Sequence, residues 1–144
     1  MVNRRTDDAS LSGPNSLRNS NHIDPWFIYQ KQNQYVLIIR SKAAIKAAPE
    51  VIKTNIQHWT AWMTDLGQHG KIAGGYRFPV DGTTLTGKDK TATASAYVAN
   101  GEIVSSFLII NAADLNEAKQ IAAKCPTFEL DGNVEIREIQ NTAN

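Results

Sequence analysis

Tyr35-Val36-Leu37-Ile38-Ile39 and, far downstream, Phe107-Leu108-Ile109-Ile110 are runs in which every residue is apolar. Their length and their β-branched and aromatic content mark both as strands. Side chains alternate sides along a strand, so Leu37 and Ile39 face opposite to Val36 and Ile38, and Leu108 and Ile110 opposite to Phe107 and Ile109. A sheet with one wet face shows apolar and polar residues in turn. These two strands are apolar on both faces. Leaving four such side chains in water forgoes about 1.5–3 kcal/mol each, roughly 6–12 per chain, comparable with a domain's whole stability of about 5–15 kcal/mol. Both faces of the sheet therefore require cover.

The segments around these strands decide what supplies it. Pro49 stands where an N1 proline would, with Glu50 beside it to complement the helix dipole. Ile52, Ile56, Trp59, Met63 and Leu66 then recur at helical spacing and are read as the inner stripe of a first helix. His69-Gly70 ends it, the glycine suited to a left-handed cap. Ile72 to Phe78 reads as a strand interrupted by Gly74-Gly75, and Asp81-Gly82 as a tight turn. Asn100-Gly101, between Ala96–Ala99 and Glu102–Ile110, predicts a hairpin, because both of its turn positions need positive φ. Asp114 with Glu117 resembles a capping box for a second helix with inner face Leu115, Ala118, Ile121 and Ala122, stopped at Pro126. Asp131-Gly132-Asn133 turns the chain into a last strand, Val134 to Ile139.

The order is β-α-β, a hairpin, then α-β. It predicts an α+β fold, a ferredoxin-like split βαβ with an extra hairpin. Both helices of that topology lie on one sheet face. The other face is expected to pack on a second copy of the chain, a homodimer with a dimeric α/β barrel assembly. Cover by the segment Pro25-Trp26-Phe27-Ile28-Tyr29 is the alternative, but five residues do not span a sheet. Residues 1–24 are rich in Asn, Ser, Arg and Asp without apolar period and are expected to be a flexible tail, with 25–144 as the domain.

Composition narrows the functional classes. The chain has 144 residues, 42% of them hydrophobic and 20% charged, with fifteen basic residues against fourteen acidic and a net charge of +1. No basic stripe of the kind that binds phosphates is present, which argues against nucleic acid as a partner. Nothing approaches the roughly 20 consecutive apolar residues of a membrane helix, and no apolar stretch follows the basic start as a secretory signal requires. With a single cysteine, Cys125, and no internal disulfide open to it, the expected location is cytoplasmic. The three histidines and the cysteine lack metal-ligand spacing, the glycines lack a phosphate-loop pattern, and hydrolase signatures are missing, so neither a metal nor a cofactor is expected.

From Tyr35 to Ile139 the chain resembles the YCII-related proteins, in particular the branch named for a DGPF motif. The residues that carry the resemblance are Tyr35 to Arg40, Trp59-Thr60-Ala61-Trp62-Met63 with Gly70-Lys71, Phe107 to Ala118, Lys124-Cys125-Pro126 and Gly132 to Arg137. The resemblance implies a dimeric ferredoxin-like α+β fold. The DGPF motif is absent, its position reading Ala94-Ser95-Ala96-Tyr97. It also implies, for some members, a histidine–aspartate pair in a cleft. Here the histidine falls at or beside His58 and the aspartate at Cys125, which leaves His58 without that acid partner. Because genes of this branch often neighbour those of alternative sigma factors, a transcription regulator is a further implied partner, with the tail as docking element.

Among the residues themselves, Val51, Asn55, His58 and Trp62 form the stripe next to the expected core stripe. His58 and Trp62 are thus neighbours on the first helix. Arg40, Tyr76 and Arg77 are expected to converge on them at the open end of the sheet. Imidazole, indole, phenol and guanidinium around one apolar cleft would suit a small ligand, so Arg40, His58, Trp62 and Tyr76 are the ligand-binding candidates, with His58 the best catalytic candidate. The competing reading makes His58 an ordinary half-exposed helix residue and puts Trp62 at the dimer seam. Two functions follow: a dimer that binds a small ligand in a cleft between the first helix and the sheet, or a cofactor-independent oxygenase- or isomerase-like enzyme with His58 as base and Arg40 as anion stabiliser. His69 needs only the helix dipole to explain it, His22 lies in the expected tail, and Cys125 reads as a small buried hydrophobe.

Overall fold

A computed structural model describes residues 33–140 of the chain. The expected tail, residues 1–24, the segment Pro25–Tyr29 and His22 lie outside them. The first strand, β1 (Asn33–Lys42), leads to α1 (Pro49–Gln68) and back to β2 (Ile72–Arg77). An excursion follows that carries β3 (Thr84–Thr86) and β4 (Thr91–Thr93). The chain returns as β5 (Glu102–Ala112), then α2 (Leu115–Ala122), a short 3-10 helix (Pro126–Leu130) and β6 (Asn133–Glu138). The four long strands form one antiparallel sheet in the order β2-β5-β1-β6. Two helices on an antiparallel sheet make an α+β fold, and this strand order is compatible with the ferredoxin-like arrangement. None of the described helices is long and apolar enough to cross a membrane.

Local signals set the helix ends largely as expected. Pro49 is the first residue of α1, and its C-terminus closes with Gly70 at φ 67° while the Lys71 N–H donates to the Leu66 carbonyl at 2.9 Å. At α2, Asp114 accepts from the Glu117 N–H at 2.9 Å and the Glu117 carboxylate accepts from the Ala113 N–H at 2.6 Å, a reciprocal cap. Lys71 then pairs with Glu117 at 2.8 Å and ties α2 to the start of β2.

Register defines two faces. One row across the sheet reads Gly75, Leu108, Leu37, Ile136, and the next reads Tyr76, Phe107, Ile38, Glu135. Tyr35, Leu37, Ile39, Leu108 and Ile110 belong to the core with Trp62 and Leu66 of α1 and Ala118 and Ala122 of α2. Leu37 and Ile110 are wholly buried. Val36, Ile38, Phe107 and Ile109 line the opposite face and are half-buried. A bulge marks the boundary of this regular zone: Ile39 pairs with Ser106 but Arg40 with Val104, leaving Ser105 extra in β5.

Four expectations need correction. The inner stripe of α1 is Asn55, Trp59, Trp62, Met63 and Leu66, while Ile52 and Ile56 are exposed. The N-terminal half of α1 meets the 3-10 helix, where Asn55 makes polar contacts, and two indoles (Trp59 and Trp62, edge to face at 5.6 Å) take the core positions. Leu115 of α2 is likewise exposed, and its inner face is Ala118, Ala122 and part of Ile121. Asn100-Gly101 does form the tight turn, with φ of 56° and 73° and two 3.0 Å bonds between Ala99 and Glu102, but Ala96–Val98 do not extend it as a strand. The reason is competition for one strand edge: β2 pairs with β5 up to Ser106, and the Phe78 N–H already bonds the Ser105 carbonyl. Only the first few residues of β5 remain free. Finally, Asp81-Gly82 is not a turn. The chain reverses instead at Gly87–Lys90, between β3 and β4.

Candidate functional site

Asn55 and His58 are three residues apart on α1 and so share a face. Opposite them lies the 3-10 helix, which is anchored at several points. The Thr127 hydroxyl donates to the Arg40 carbonyl at 2.9 Å, and the Gly132 N–H donates to the Thr127 carbonyl at 2.9 Å. A Cβ on Gly132 would collide with both Thr127 and the Arg40 backbone, so only glycine closes this turn. Asn55, itself buried, donates through Nδ2 to the Pro126 carbonyl at 2.9 Å and to Glu129 Oε1 at 3.0 Å. The second carboxylate oxygen, Oε2, lies 2.8 Å from Nδ1 of His58.

The carboxylate of Glu129 is therefore gripped at both oxygens. The Asn55 amide, aided by His58, holds its carboxyl below the usual carboxylate range, while partial burial opposes them. Both His58 and Glu129 keep about half of their side-chain surface open. An imidazole beside an ionised carboxylate and still reachable from solvent is placed to exchange a proton with a bound molecule. His58 thus does have an acid partner. It is a glutamate four residues beyond the position where the resemblance places an aspartate. Cys125, which holds that position, is buried in the core, and burial pushes its thiol up to about 11. It is a packing residue and not a nucleophile at neutral pH.

Trp62 follows His58 by one turn on the same side of α1, as expected, and helical side chains lean back toward the preceding turn. It is 7% exposed and belongs to the core of the chain. Its indole N–H is the buried side-chain polar group without a partner among the described residues. Such an orphan donor costs about 1–3 kcal/mol and calls for an acceptor.

The other two candidates do not join them. Arg40 follows Val36 and Ile38 on the face away from the helices, where it bonds Glu135 at 2.9 Å, and Glu135 stands opposite Ile38. Tyr76 is on that face too, in register with Phe107 and in ring contact with it at 6.0 Å, and Arg77 is exposed. Between α1 and the sheet the space is taken by Trp62, Leu66, Leu37 and Ile39. The sheet thus separates the four expected cleft residues, with His58 and Trp62 on one side and Arg40 and Tyr76 on the other. A separate depression on the excursion, lined by Thr84, Thr86, Thr93, Ser95 and Tyr97, offers hydroxyls but no charged side chain.

Glu129 escaped the sequence reading, and Asn55 was placed on the His58 stripe without a role. They are 74 residues apart, and a glutamate in a short segment after a proline carries no periodic signal. No curated protein matches the chain. The family model for the YCII-related domain matches residues 26–142, most of the sequence, and the chain belongs to that family.

Proposed function

We propose that the protein is a homodimer that binds a small molecule beside His58 and moves a proton on it. His58 is the proton-transferring group and Glu129 its carboxylate. The observation that carries this reading is the 2.8 Å contact between His58 Nδ1 and a carboxylate whose other oxygen is fixed by Asn55. A surface pair made by chance pays entropy to hold two mobile side chains and gains little. Here one partner is held in place by a buried amide, which favours a functional arrangement.

Two further observations support the remaining parts. The apolar face carrying Val36, Ile38, Phe107 and Ile109, with Tyr76 and Phe78 ranged beside Phe107, matches the core of a sheet-on-sheet contact between two copies. The reduced, buried thiol of Cys125 suits the cytoplasm. No metal or cofactor enters the reading.

The test is a thermal-shift screen of a small-fragment library against the full chain and against His58→Ala. Fragments that raise the melting temperature of the unaltered protein are expected to lose that effect in the variant, whose own melting temperature and sedimentation stay unchanged. Fragments that stabilise both proteins equally would remove His58 from the site, and a variant that merely loses its dimer would reduce His58 to a structural residue.

A further inference from the structure

We propose that Asn55 is a positioning residue which, through Glu129, fixes the neutral His58 ring in the tautomer protonated at Nδ1, leaving Nε2 as the base. This rests on the reading of His58 as the proton-transferring group and names the atom that does the work.

An ionised carboxylate only accepts hydrogen bonds, so a ring nitrogen 2.8 Å from Glu129 Oε2 must bring the hydrogen. That nitrogen is Nδ1. Neutral imidazole carries one proton, and a ring protonated at Nδ1 has its lone pair on Nε2. No hydrogen bond to Nε2 occurs among the described residues, and the side chain is 52% exposed, so this lone pair is open to a proton donor.

The geometry of Glu129 is what makes the choice of tautomer stable, and Asn55 sets that geometry. Its amide has two hydrogens. One goes to the Pro126 carbonyl and locks the 3-10 helix against α1; the other goes to Glu129 Oε1 and stops the carboxylate from rotating. At 6% exposure the amide competes with little water for these acceptors. Without it the carboxylate is free to turn away, and the ring reverts to the Nε2–H form that unrestrained histidine prefers. Asn55 reaches no ligand in this scheme. It acts through Glu129.

Long-range proton–nitrogen correlation spectra of the uniformly ¹⁵N-labelled full chain, recorded at alkaline pH without any ligand, read the tautomer directly. His58 is identified by the signals lost in His58→Ala. In the unaltered protein a protonated Nδ1 and a bare Nε2 are expected to account for most of the signal. In Asn55→Ala the Nδ1–H share falls to a minority. Should that variant not fold, Asn55→Ser replaces it, since one hydroxyl hydrogen cannot serve both acceptors, and the same loss is expected. A dominant Nε2–H form in the unaltered protein overturns the proposal. So does a folded Asn55 variant that is less stable but keeps the original tautomer, because a purely structural asparagine would behave that way. These spectra need no ligand, so the expected tautomer combined with a failed fragment screen would count against the proton-transfer reading and not against this one.

Discussion

The two faces of this sheet are built from the same strands, one residue out of step, and they differ sharply. Leu37 is wholly buried, while its neighbour Ile38 is only half-buried. Toward the helices the apolar row is sealed by Trp62, Leu66, Ala118 and Ala122; on the far side a row of equal apolarity ends in Tyr76, Phe78, Arg40, Glu135 and Arg137. The difference shows that hydrophobicity alone does not make a core. A core needs partners on both sides of each side chain, and one chain's helices supply them to one face only.

The comparison can be broken at its strongest point first. Leu37→Ala should lower stability by about 2–5 kcal/mol in chemical denaturation, the cost of a cavity that its packed neighbours cannot fill. Ile38→Asp, one residue further along, should instead leave a folded chain and, on the proposed homodimer, weaken self-association about a hundredfold or more, roughly 2.7 kcal/mol, read by sedimentation over a concentration series. An Ile38→Asp chain as unfolded as Leu37→Ala would mean that the two faces do the same job.

The smallest effect concerns charge. Glu117 lies on the helical side, its carboxyl held below the usual range first by Lys71 and then by the Ala113 N–H. Glu135 lies on the far side, held low by Arg40 and then Arg137. A carboxyl whose folded value is depressed stabilises the fold above its unfolded value, about 4.3, and loses that contribution as pH falls through the lower folded value. Glu117→Gln should therefore remove at most about 1 kcal/mol at neutral pH, because the pair is partly exposed and screened, and should flatten the loss of stability in acid. Melting temperatures measured from neutral pH down into the acid range check both.

What the sequence made legible follows from this physics. The strands β1 and β5, the ends of α1, the cap of α2 and the Asn100-Gly101 turn were readable because each depends on neighbours a few residues away. The α1 stripe was misassigned, since Ile52 and Ile56 have the right spacing but face no partner among the described residues. That is a tertiary fact. The strands β3 and β4 were not anticipated, being two Thr-X-Thr triplets too short for period-two patterning to register. Of the candidate site, His58 was found as the titratable residue of a helix stripe, whereas Glu129 and the role of Asn55 become meaningful only once the chain has closed on itself. Arg40 and Tyr76 were grouped with His58 by strand position, and the parity of the pleat separates them.

The sheet's lateral margins have a consequence of their own. One margin is β6, six residues long and carrying Glu135 and Arg137; the other is β2, kinked by a register shift between Ile72 and Gly74, with Gly75 at φ 153° where a Cβ would strike the Phe107 carbonyl. A short charged margin and a bent one are poor templates for strand-by-strand growth into ribbons or fibres. On the face-to-face pairing proposed above, each contact uses itself up once made, and assembly would stop at a closed pair.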